Sequence, residues 1–234
     1  MKVSINQPAY LPWLGYFNRI DAADRHIILD HVQFEKNSFT NRNKILTSNG
    51  PVWLTVPVQT KGKFGSLPIC ELAIDNRQGW KKKHLKSIAQ SYTKTPFFEN
   101  YFPEIELIYT QDWQYFIDLV SHLNTYFMQC LGITTPTFNS QALENLSAKS
   151  DLVLELCLRF NAETYLSGAL GRNYLQADDF DKRNIKVLYD NYQHPTYPQK
   201  YAGFHPYMCV LDLLFNHGPG SLEIIRSGRN FVEE

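Results

Sequence analysis

The first thirty residues contain the pattern that most restricts how this chain can fold. A short apolar run at residues 3–5 leads through a proline-containing loop to an amphipathic segment at residues 13–23, and a second apolar run follows at residues 26–29. Because apolar side chains recur every three or four positions in the middle segment, it is predicted to be a helix. The order strand, loop, helix, strand predicts an α/β fold with a Rossmann-like βαβ start and a mostly parallel sheet.

The polar residues that follow the two predicted strands mark a candidate ligand site. In open α/β sheets, ligands bind beyond the carboxyl ends of the parallel strands. Asn6 and Gln7 follow the first strand, and Asp30, His31 and Gln33 follow the second. We therefore expect these side chains to border one crevice.

The start of the predicted helix has two interpretations. Pro12 suits the first turn of a helix, and Gly15 permits close packing of the helix on a strand. Alternatively, the free N–H groups at this helix start face a phosphate or carboxylate group of a ligand. In that case Tyr10 and Trp13 would line the pocket. The sequence leaves both interpretations open.

Downstream, the pattern changes to a hairpin, a helical segment and further strands. Residues 44–46 and 52–58 flank an Asn-Gly turn and predict an inserted β-hairpin. Helical periodicity covers residues 76–93, 101–109, 113–131, 147–160 and 207–216, and strand candidates lie at residues 69–74, 138–143, 162–167 and 185–189. We expect a single α/β domain over residues 1–234, with a mainly helical subdomain at about residues 76–160.

Charge and cysteine content narrow the class of partner. The chain carries 23 Lys and Arg against 23 Asp and Glu, which argues against non-specific binding to nucleic acid or to a membrane surface. The lysines of residues 81–86 leave nucleic-acid binding as a weaker alternative. No apolar run approaches the ~18 residues of a membrane span, and four widely spaced cysteines without a CxxC pair are typical of reduced thiols. We expect a cytoplasmic protein that acts on a small molecule, with no nucleic acid and no membrane span.

Two later stretches contain residues suited to a charged ligand. Asn41, Arg42 and Asn43 precede the hairpin, and the planar fork of Arg42 matches a phosphate or carboxylate group. Such residues also organise turns, which is the alternative interpretation. Ser167 and Gly168 follow a short buried strand, where backbone amides can bind an anion or a carbonyl oxygen. The spacing around them is neither a P-loop nor a GxSxG elbow.

Histidines are the candidate bases. His84 shares the apolar face of a predicted helix with Trp80, so it is either a buried core residue or a proton acceptor. His194 in the C-terminal region and His31 beside Asp30 are the other candidates. A metal site built on Asp30 and His31 would need a third ligand, and no tight ligand spacing supports one.

Seven motifs together resemble the WbqC-like protein family over nearly the whole chain. They are QPAYLPWLGYF (residues 7–17), D-x-VQF (30–34), NRNKI (41–45), WLTVPV (53–58), YLSG (165–168), HPTYPQ (194–199) and LDLLFNHG (211–218). The opening motif is specific, since no general requirement of folding produces a Gln-Pro-x-Tyr-x-Pro-Trp run. One departure is His31, because the family usually has a second acidic residue at that position.

The resemblance implies a role in the synthesis of surface polysaccharides. Members of the family are associated with bacterial O-antigen gene clusters, and transfer of an acyl or aminoacyl group to a sugar has been suggested for them. The resemblance therefore predicts a transferase that acts on a nucleotide-linked amino sugar. It implies a phosphate-containing small-molecule substrate and an acyl or aminoacyl donor. We predict no metal, because no tight ligand spacing supports one.

Two alternative functions remain open. The order of the first elements is similar to that of HIGH-type nucleotidyltransferases, but Trp13-Leu14-Gly15-Tyr16 stands in place of their His-x-Gly-His element and both histidines are missing. A nucleotidyltransferase-like enzyme is therefore one alternative. The other is a non-catalytic module that binds a nucleotide sugar or glycan through its many aromatic residues.

The transferase hypothesis assigns a role to each candidate residue. A base would deprotonate the sugar amine, the amides of Ser167 and Gly168 would stabilise the oxyanion, and Arg42 would hold a phosphate. The predicted catalytic residues are His194, His84, Asp30 and His31. The predicted substrate-binding residues are Gln7, Tyr10, Trp13, Gln33, Asn41, Arg42, Asn43, Ser167, Gly168, Tyr197, Gln199 and His205.

Overall fold

The computed structural model describes residues 1–62, 65, 67–143 and 146–233. The strands are β1 (Lys2–Asn6), β2 (Arg25–Ile28), β3 (Arg42–Thr47), β4 (Gly50–Thr55), β5 (Thr137–Asn139), β6 (Thr164–Ser167), β7 (Lys186–Asp190) and β8 (Phe231–Val232). The helices are α1 (Leu14–Ala22), α2 (Trp80–Tyr92), α3 (Phe98–Thr110), α4 (Phe116–Leu131), α5 (Lys149–Arg159), α6 (Ala177–Asp181), α7 (Val210–His217) and α8 (Ser221–Ser227).

Six of the strands form one sheet in the order β5-β2-β1-β6-β7-β8. The first five pair in parallel, and β8 joins β7 in the antiparallel direction. The chain runs outward from β1 through β2 to β5 on one side, and through β6 to β7 on the other. The sheet is therefore doubly wound, and its order reverses between β1 and β6. The predicted α/β fold with a mostly parallel sheet is confirmed.

Helix α1 places the opening motif beside this reversal point. Its buried face carries Leu14, Phe17 and Ile20, which pack into the core at helical spacing. The helix lies within one residue of its predicted limits at both ends. The loop between β1 and α1 consequently lies beyond the carboxyl end of β1, where ligands of such sheets bind.

The predicted hairpin is confirmed as a separate antiparallel pair of β3 and β4. Gly50, at the end of its turn, has a φ of 96°, a backbone conformation that residues with a side chain rarely adopt. The Asn43 side-chain amide donates a hydrogen bond to the Leu11 carbonyl oxygen at 2.6 Å, and the Cys209 amide donates to the Lys44 carbonyl oxygen at 2.9 Å. The hairpin therefore braces the loop that leads from β1 to α1.

Several predictions of secondary structure needed correction. The strand at residues 138–143 ends at Asn139 before a 3₁₀ turn, and the helix at residues 207–216 begins at Val210. The helix expected at residues 76–93 begins at Trp80, because Gly79 is left-handed and separates the helix from a preceding 3₁₀ turn. The strand predicted at residues 69–74 is wrong: Ile69–Glu71 is a 3₁₀ turn that packs against α4. A run of apolar residues can be buried one at a time in a loop, and periodicity alone does not separate that case from a buried strand.

Apolar side chains are buried on both faces of the large sheet. One cluster joins α1, the hairpin, the helices α2 to α4 and α7, and includes Phe17, Phe127 and Phe215. The second cluster lies under α5 and α6 and includes Val3 and Leu156. Within the described residues, no helix is both long enough and apolar enough to cross a membrane.

Candidate functional site

A cleft of about 470 Å³ lies at the carboxyl ends of β1, β6 and β7, where the strand order reverses. It is lined by Asn6 and Asp190, which end β1 and β7, by Gln7 and Gly168, which directly follow β1 and β6, and by Arg19 from α1. A depression between α3 and α4 is larger, at about 530 Å³, but it is bordered by two outer helix faces rather than by strand ends. The topology therefore favours the cleft at the reversal point as the functional site.

Arg19 connects the ends of two strands across this cleft. Its guanidinium donates hydrogen bonds from Nε (3.1 Å) and Nη2 (2.5 Å) to Asn6 Oδ1, and from Nη1 (3.1 Å) to Asp190 Oδ2. Between them, Gly168 directly follows β6 and has no side chain, and a Cβ placed there would lie 3.3 Å from Arg19 Nη1. The missing side chain at Gly168 therefore leaves room for the guanidinium to span from β1 to β7.

Two polar atoms on either side of Arg19 have no hydrogen-bond partner within the described residues. They are Nδ2 of Asn6 and Oδ1 of Asp190, in residues that are 7% and 3% exposed. Arginine can only donate, so the Asn6 atom that it contacts is the oxygen, and the free atom is the donor nitrogen. A buried polar group without a partner costs about 1–3 kcal/mol. In a cleft, a ligand is the expected partner for such a donor and acceptor.

The carboxyl group of Asp190 has an unusual electrostatic environment. Burial raises its pKa above the ordinary aspartate value, although the Arg19 guanidinium acts in the opposite direction. Asp21 on α1 provides a contrast: burial would also raise its pKa, but hydrogen bonds from Arg226 and Arg229 lower it overall. A cleft carboxyl group with a raised pKa is a typical feature of acid–base catalysis.

Aromatic rings form one wall of the cleft. Trp13 lies with its ring centroid 5.6 Å from Tyr192 and 5.5 Å from Tyr207, and all three side chains border the cleft. Tyr207 is half exposed and adopts a φ of 60°, a left-handed conformation that is uncommon for a bulky residue. Such strained residues often occur at functional sites, where neighbouring contacts hold them in place.

His194 packs against Trp13 and Tyr207 of this aromatic wall and is not a free base that faces the cleft. Its Nε2 accepts a hydrogen bond from the Tyr207 amide at 3.1 Å, and its Nδ1 donates to the Pro195 carbonyl oxygen at 2.9 Å. Its ring stacks on Trp13 at a centroid distance of 6.3 Å. Burial lowers the pKa of His194, which favours the neutral ring that these two contacts require. The geometry thus gives His194 a positioning role rather than the predicted catalytic one.

Replacing His194 with phenylalanine separates these two roles. The change keeps an aromatic ring against Trp13 but removes the acceptor for the Tyr207 amide. We expect substrate binding to weaken about fivefold, the value of one lost hydrogen bond, with little change in kcat. Steady-state kinetics would measure the effect, with His122→Phe on the outer face of α4 as the control. A 100-fold fall in kcat would instead support the histidine as a base.

Asp30 and His31 lie away from the cleft. Asp30 is fully buried and accepts hydrogen bonds from the Asn139 side chain (2.7 Å), the Ser140 hydroxyl (3.0 Å) and the Gln141 amide (2.8 Å). His31 Nδ1 lies 2.6 Å from the same Ser140 hydroxyl. These contacts join the end of β2 to the turn after β5. Throughout the described residues, no three metal-ligating side chains are grouped closely enough to hold an ion.

The polar residues before the hairpin organise the chain locally. The Asn41 side chain donates to the Val56 carbonyl oxygen at 2.8 Å. Arg42 donates to the carbonyl oxygens of Asn37 (2.5 Å) and Ser38 (3.3 Å), and its guanidinium lies 4.6 Å from the centre of the Trp53 ring. Together with the Asn43 bond to the β1–α1 loop, these contacts favour the turn interpretation over the predicted phosphate fork.

Tyr10 and His84 belong to a buried network behind the hairpin. The Tyr10 hydroxyl lies 2.7 Å from His84 Nδ1 and is also hydrogen-bonded to the Tyr109 hydroxyl. Burial lowers the pKa of His84 to about 4. The core interpretation of this histidine therefore fits the structure better than the catalytic one.

Some of the remaining predicted residues lie at the cleft, and the others lie elsewhere in the fold. Gln7, Trp13 and Gly168 line the cleft, and the buried Ser167 directly precedes Gly168. Gln33 braces a separate loop by accepting a hydrogen bond from the Leu67 amide at 2.8 Å.

Tyr197 and Gln199 support the C-terminal region through a buried carboxylate. Asp212 Oδ2 accepts from the Tyr197 hydroxyl at 3.0 Å and from the Gln199 side chain at 2.8 Å, while Gln199 also exchanges hydrogen bonds with the His205 backbone. Asp212 Oδ1 accepts from the Tyr92 hydroxyl at 3.0 Å. Both oxygens of this carboxylate are therefore occupied by the protein itself, whereas Oδ1 of Asp190 has no partner within the described residues.

The cleft residues that the sequence interpretation missed include Arg19, Asp190, Tyr192 and Tyr207. Asp190 directly follows the predicted strand at residues 185–189, in the same way that Asn6 follows residues 3–5. The rule that selected Asn6 and Asp30 would therefore have selected Asp190 as well. Arg19 offered no comparable signal, because it lies within a helix whose pattern describes only the buried face.

Comparison with known proteins agrees with the motifs. The model of the WbqC-like protein family matches residues 7–224. The uncharacterized protein Rv1507c of Mycobacterium tuberculosis is 35% identical over 227 residues, which cover 96% of this chain and 97% of that protein. No solved structure matches the chain. The chain belongs to the WbqC-like protein family.

Proposed function

We propose that the protein is a transferase of surface-polysaccharide synthesis that attaches an acyl or aminoacyl group to the amine of a nucleotide-linked amino sugar. The observation that carries the proposal is Asp190, a buried carboxyl group with a raised pKa in the cleft at the carboxyl ends of β1, β6 and β7. Its Oδ1 has no partner among the described residues. It lies beside an aromatic wall suited to the face of a sugar ring. Membership of the WbqC-like family supports the polysaccharide context.

In this proposal Asp190 is the proton acceptor. Its carboxylate takes one proton from the sugar ammonium group, and the neutral amine attacks the carbonyl carbon of an acyl thioester. A C–N bond forms and the C–S bond breaks, and the thiolate leaves with the second proton from the nitrogen. The products are the amide of the sugar, a free thiol and a protonated Asp190. Removal of a proton by a positioned base typically contributes about 10²–10⁴-fold to a rate.

The other cleft residues position the acceptor. The free Nδ2 of Asn6 can donate to a sugar hydroxyl oxygen, and Trp13 and Tyr207 can pack against the ring. Arg19 holds Asp190 and Asn6 at a fixed separation because it is bonded to both. Such prior positioning of the reacting groups is a large part of the barrier reduction in bimolecular reactions.

The direct test is a search for the transfer product. The purified protein would be incubated with nucleotide-linked amino sugars and a panel of acyl and aminoacyl thioesters, and new sugar amides would be sought by mass spectrometry. Enzyme-dependent formation of one amide is the expected result. Tight binding of the sugar without any product across the donor panel would favour the non-catalytic binding module.

A single methyl group at Gly168 tests whether Arg19 positions the site. The Cβ of a Gly168→Ala variant would meet Arg19 Nη1 at 3.3 Å, so the guanidinium has to move by a few tenths of an ångström. We expect transfer to slow about tenfold, since misplacement by about 1 Å can cost 10²-fold. Gly220→Ala is the matched control, because its Cβ meets nothing within 4 Å. Equal rates for the two variants would show that the position of Arg19 is not critical.

A further inference from the structure

We infer that the cleft recognises the amino sugar through its free, positively charged amine, and that the phosphate groups of the substrate remain outside the cleft. The inference rests on the proposed function, since it takes the acceptor of the transfer to bind at Asp190. It adds the charge state of the bound group and its orientation in the site.

The charges of the cleft do not favour a phosphate. Arg19 is the one cationic side chain among the described residues that line it, and that guanidinium is already engaged by Asn6 and Asp190. A diphosphate entering the cleft would have to compete with the Asp190 carboxylate for the same cation. Arg42, the residue predicted to hold a phosphate, donates instead to the Asn37 and Ser38 carbonyl oxygens.

The same surroundings favour an ammonium group. Oδ1 of Asp190 is an acceptor without a partner in the described part of the chain. Among the described residues that line the cleft, Asp190 is the one acidic side chain. The rings of Trp13, Tyr192 and Tyr207 border the same space. Aromatic faces attract cations, most strongly where water is excluded. A carboxylate beside several aromatic rings is therefore matched to a protonated amine.

Asn6 Nδ2, which also has no partner among the residues that the structure describes, gives the bound sugar an orientation. Asn6 Nδ2 is a donor, and Asn6 and Asp190 both bind the guanidinium of Arg19. A sugar with an amine and a nearby hydroxyl could give its N–H to Asp190 and accept from Asn6 through the hydroxyl oxygen. The donor and acceptor of the cleft would thus both be satisfied by one ring.

This recognition also distinguishes the substrate from the product. Acylation converts the ammonium group to a neutral amide, which removes the charge that interacts with Asp190 and the aromatic rings. Hydrogen bonds to charged groups are about twice as strong as those between neutral groups. The acylated sugar is therefore expected to bind more weakly and to leave the cleft after transfer.

Binding of two simple sugars tests the inference without any need for turnover. D-glucosamine and N-acetyl-D-glucosamine would be titrated into the full-length protein and followed by protein-observed NMR. We expect D-glucosamine to bind at least about tenfold more tightly, the lower range for a hydrogen bond to a charged group. Asp190→Asn should abolish this preference, whereas Asp21→Asn, which alters an arginine-paired aspartate on α1, should retain it.

The inference would be overturned by equal binding of the two sugars, by tighter binding of the acetylated sugar, or by an unchanged preference in Asp190→Asn. Displacement of D-glucosamine by inorganic phosphate would also contradict it, because the cleft would then hold an anion. Amine recognition and acyl transfer can be disproved independently of each other. An amine preference without any transfer product would support the inference and remove the transferase, while transfer without an amine preference would overturn the inference alone.

Discussion

Replacing Asp190 with asparagine is expected to lower the rate of acyl transfer by at least about 100-fold, because the variant lacks the carboxylate that accepts the proton. The asparagine has nearly the same shape, and its side-chain oxygen can still accept a hydrogen bond from Arg19. The loss should therefore appear in kcat more than in the folded fraction of the protein. Single-turnover measurements of product formation by mass spectrometry would determine the size of the effect.

Asp21→Asn is the matched control for this experiment. The Asp21 side chain also has little exposure and is paired with arginine, through Arg226 and Arg229, but these partners hold its pKa below the ordinary value. We expect this variant to retain its transfer rate. Equal rates for Asp190→Asn and the wild-type protein would contradict the role of Asp190 as the base.

The dependence of the transfer rate on pH is a second, independent test of Asp190 as the base. A base must be ionised to accept a proton, and burial raises the pKa of Asp190. The protonated form therefore persists to a higher pH than in an ordinary aspartate, whose pKa is about 3.9. The rate should rise with pH through a limb that lies above this value. That limb should be absent from the residual activity of Asp190→Asn.

Replacing Asp30 with alanine is expected to reduce the free energy of unfolding by about 3 kcal/mol or more. Three donors, on Asn139, Ser140 and Gln141, would lose their acceptor in a site with no exposure to solvent. We expect the folded fraction of the variant to keep most of its transfer activity, since Asp30 does not line the cleft. Urea denaturation would measure the stability.

Asp112→Ala is the control for Asp30→Ala, because the Asp112 side chain is fully exposed and its ion pair with Lys81 is long, at 3.6 Å. A surface substitution of this kind should change the stability by no more than about 0.5 kcal/mol. If Asp30→Ala were as stable as the wild-type protein but inactive, Asp30 would be the catalytic residue that the sequence predicted.

Asp30 and Asp190 show how far the sequence alone can locate the site. Both follow a predicted strand of the parallel sheet, and the strand order alone places both at the carboxyl edge. Their difference is set by residues distant in sequence: Asn139 and Ser140 occupy the oxygens of Asp30, whereas Oδ1 of Asp190 is left without a partner in the described chain. Local patterns predict strands and their ends, but not which polar groups the rest of the fold will satisfy.

His194 illustrates the same limit in a different way. As an isolated residue in the HPTYPQ motif it is a reasonable base, because an imidazole titrates near neutral pH. Both of its nitrogens are nevertheless occupied by backbone groups, one of them on Tyr207, which has an unusual left-handed conformation. Neither that conformation nor the resulting hydrogen bond has a sequence signature.

A crystal structure of the protein with a bound nucleotide-linked amino sugar would show whether Asp190 binds the amine. We expect the amine to lie within hydrogen-bond distance of Asp190, the ring to pack against Trp13 and Tyr207, and the phosphates to lie outside the cleft. A sugar bound away from the carboxyl ends of β1, β6 and β7 would rule out Asp190 as the base, and a phosphate in direct contact with Arg19 would rule out an amine-specific cleft.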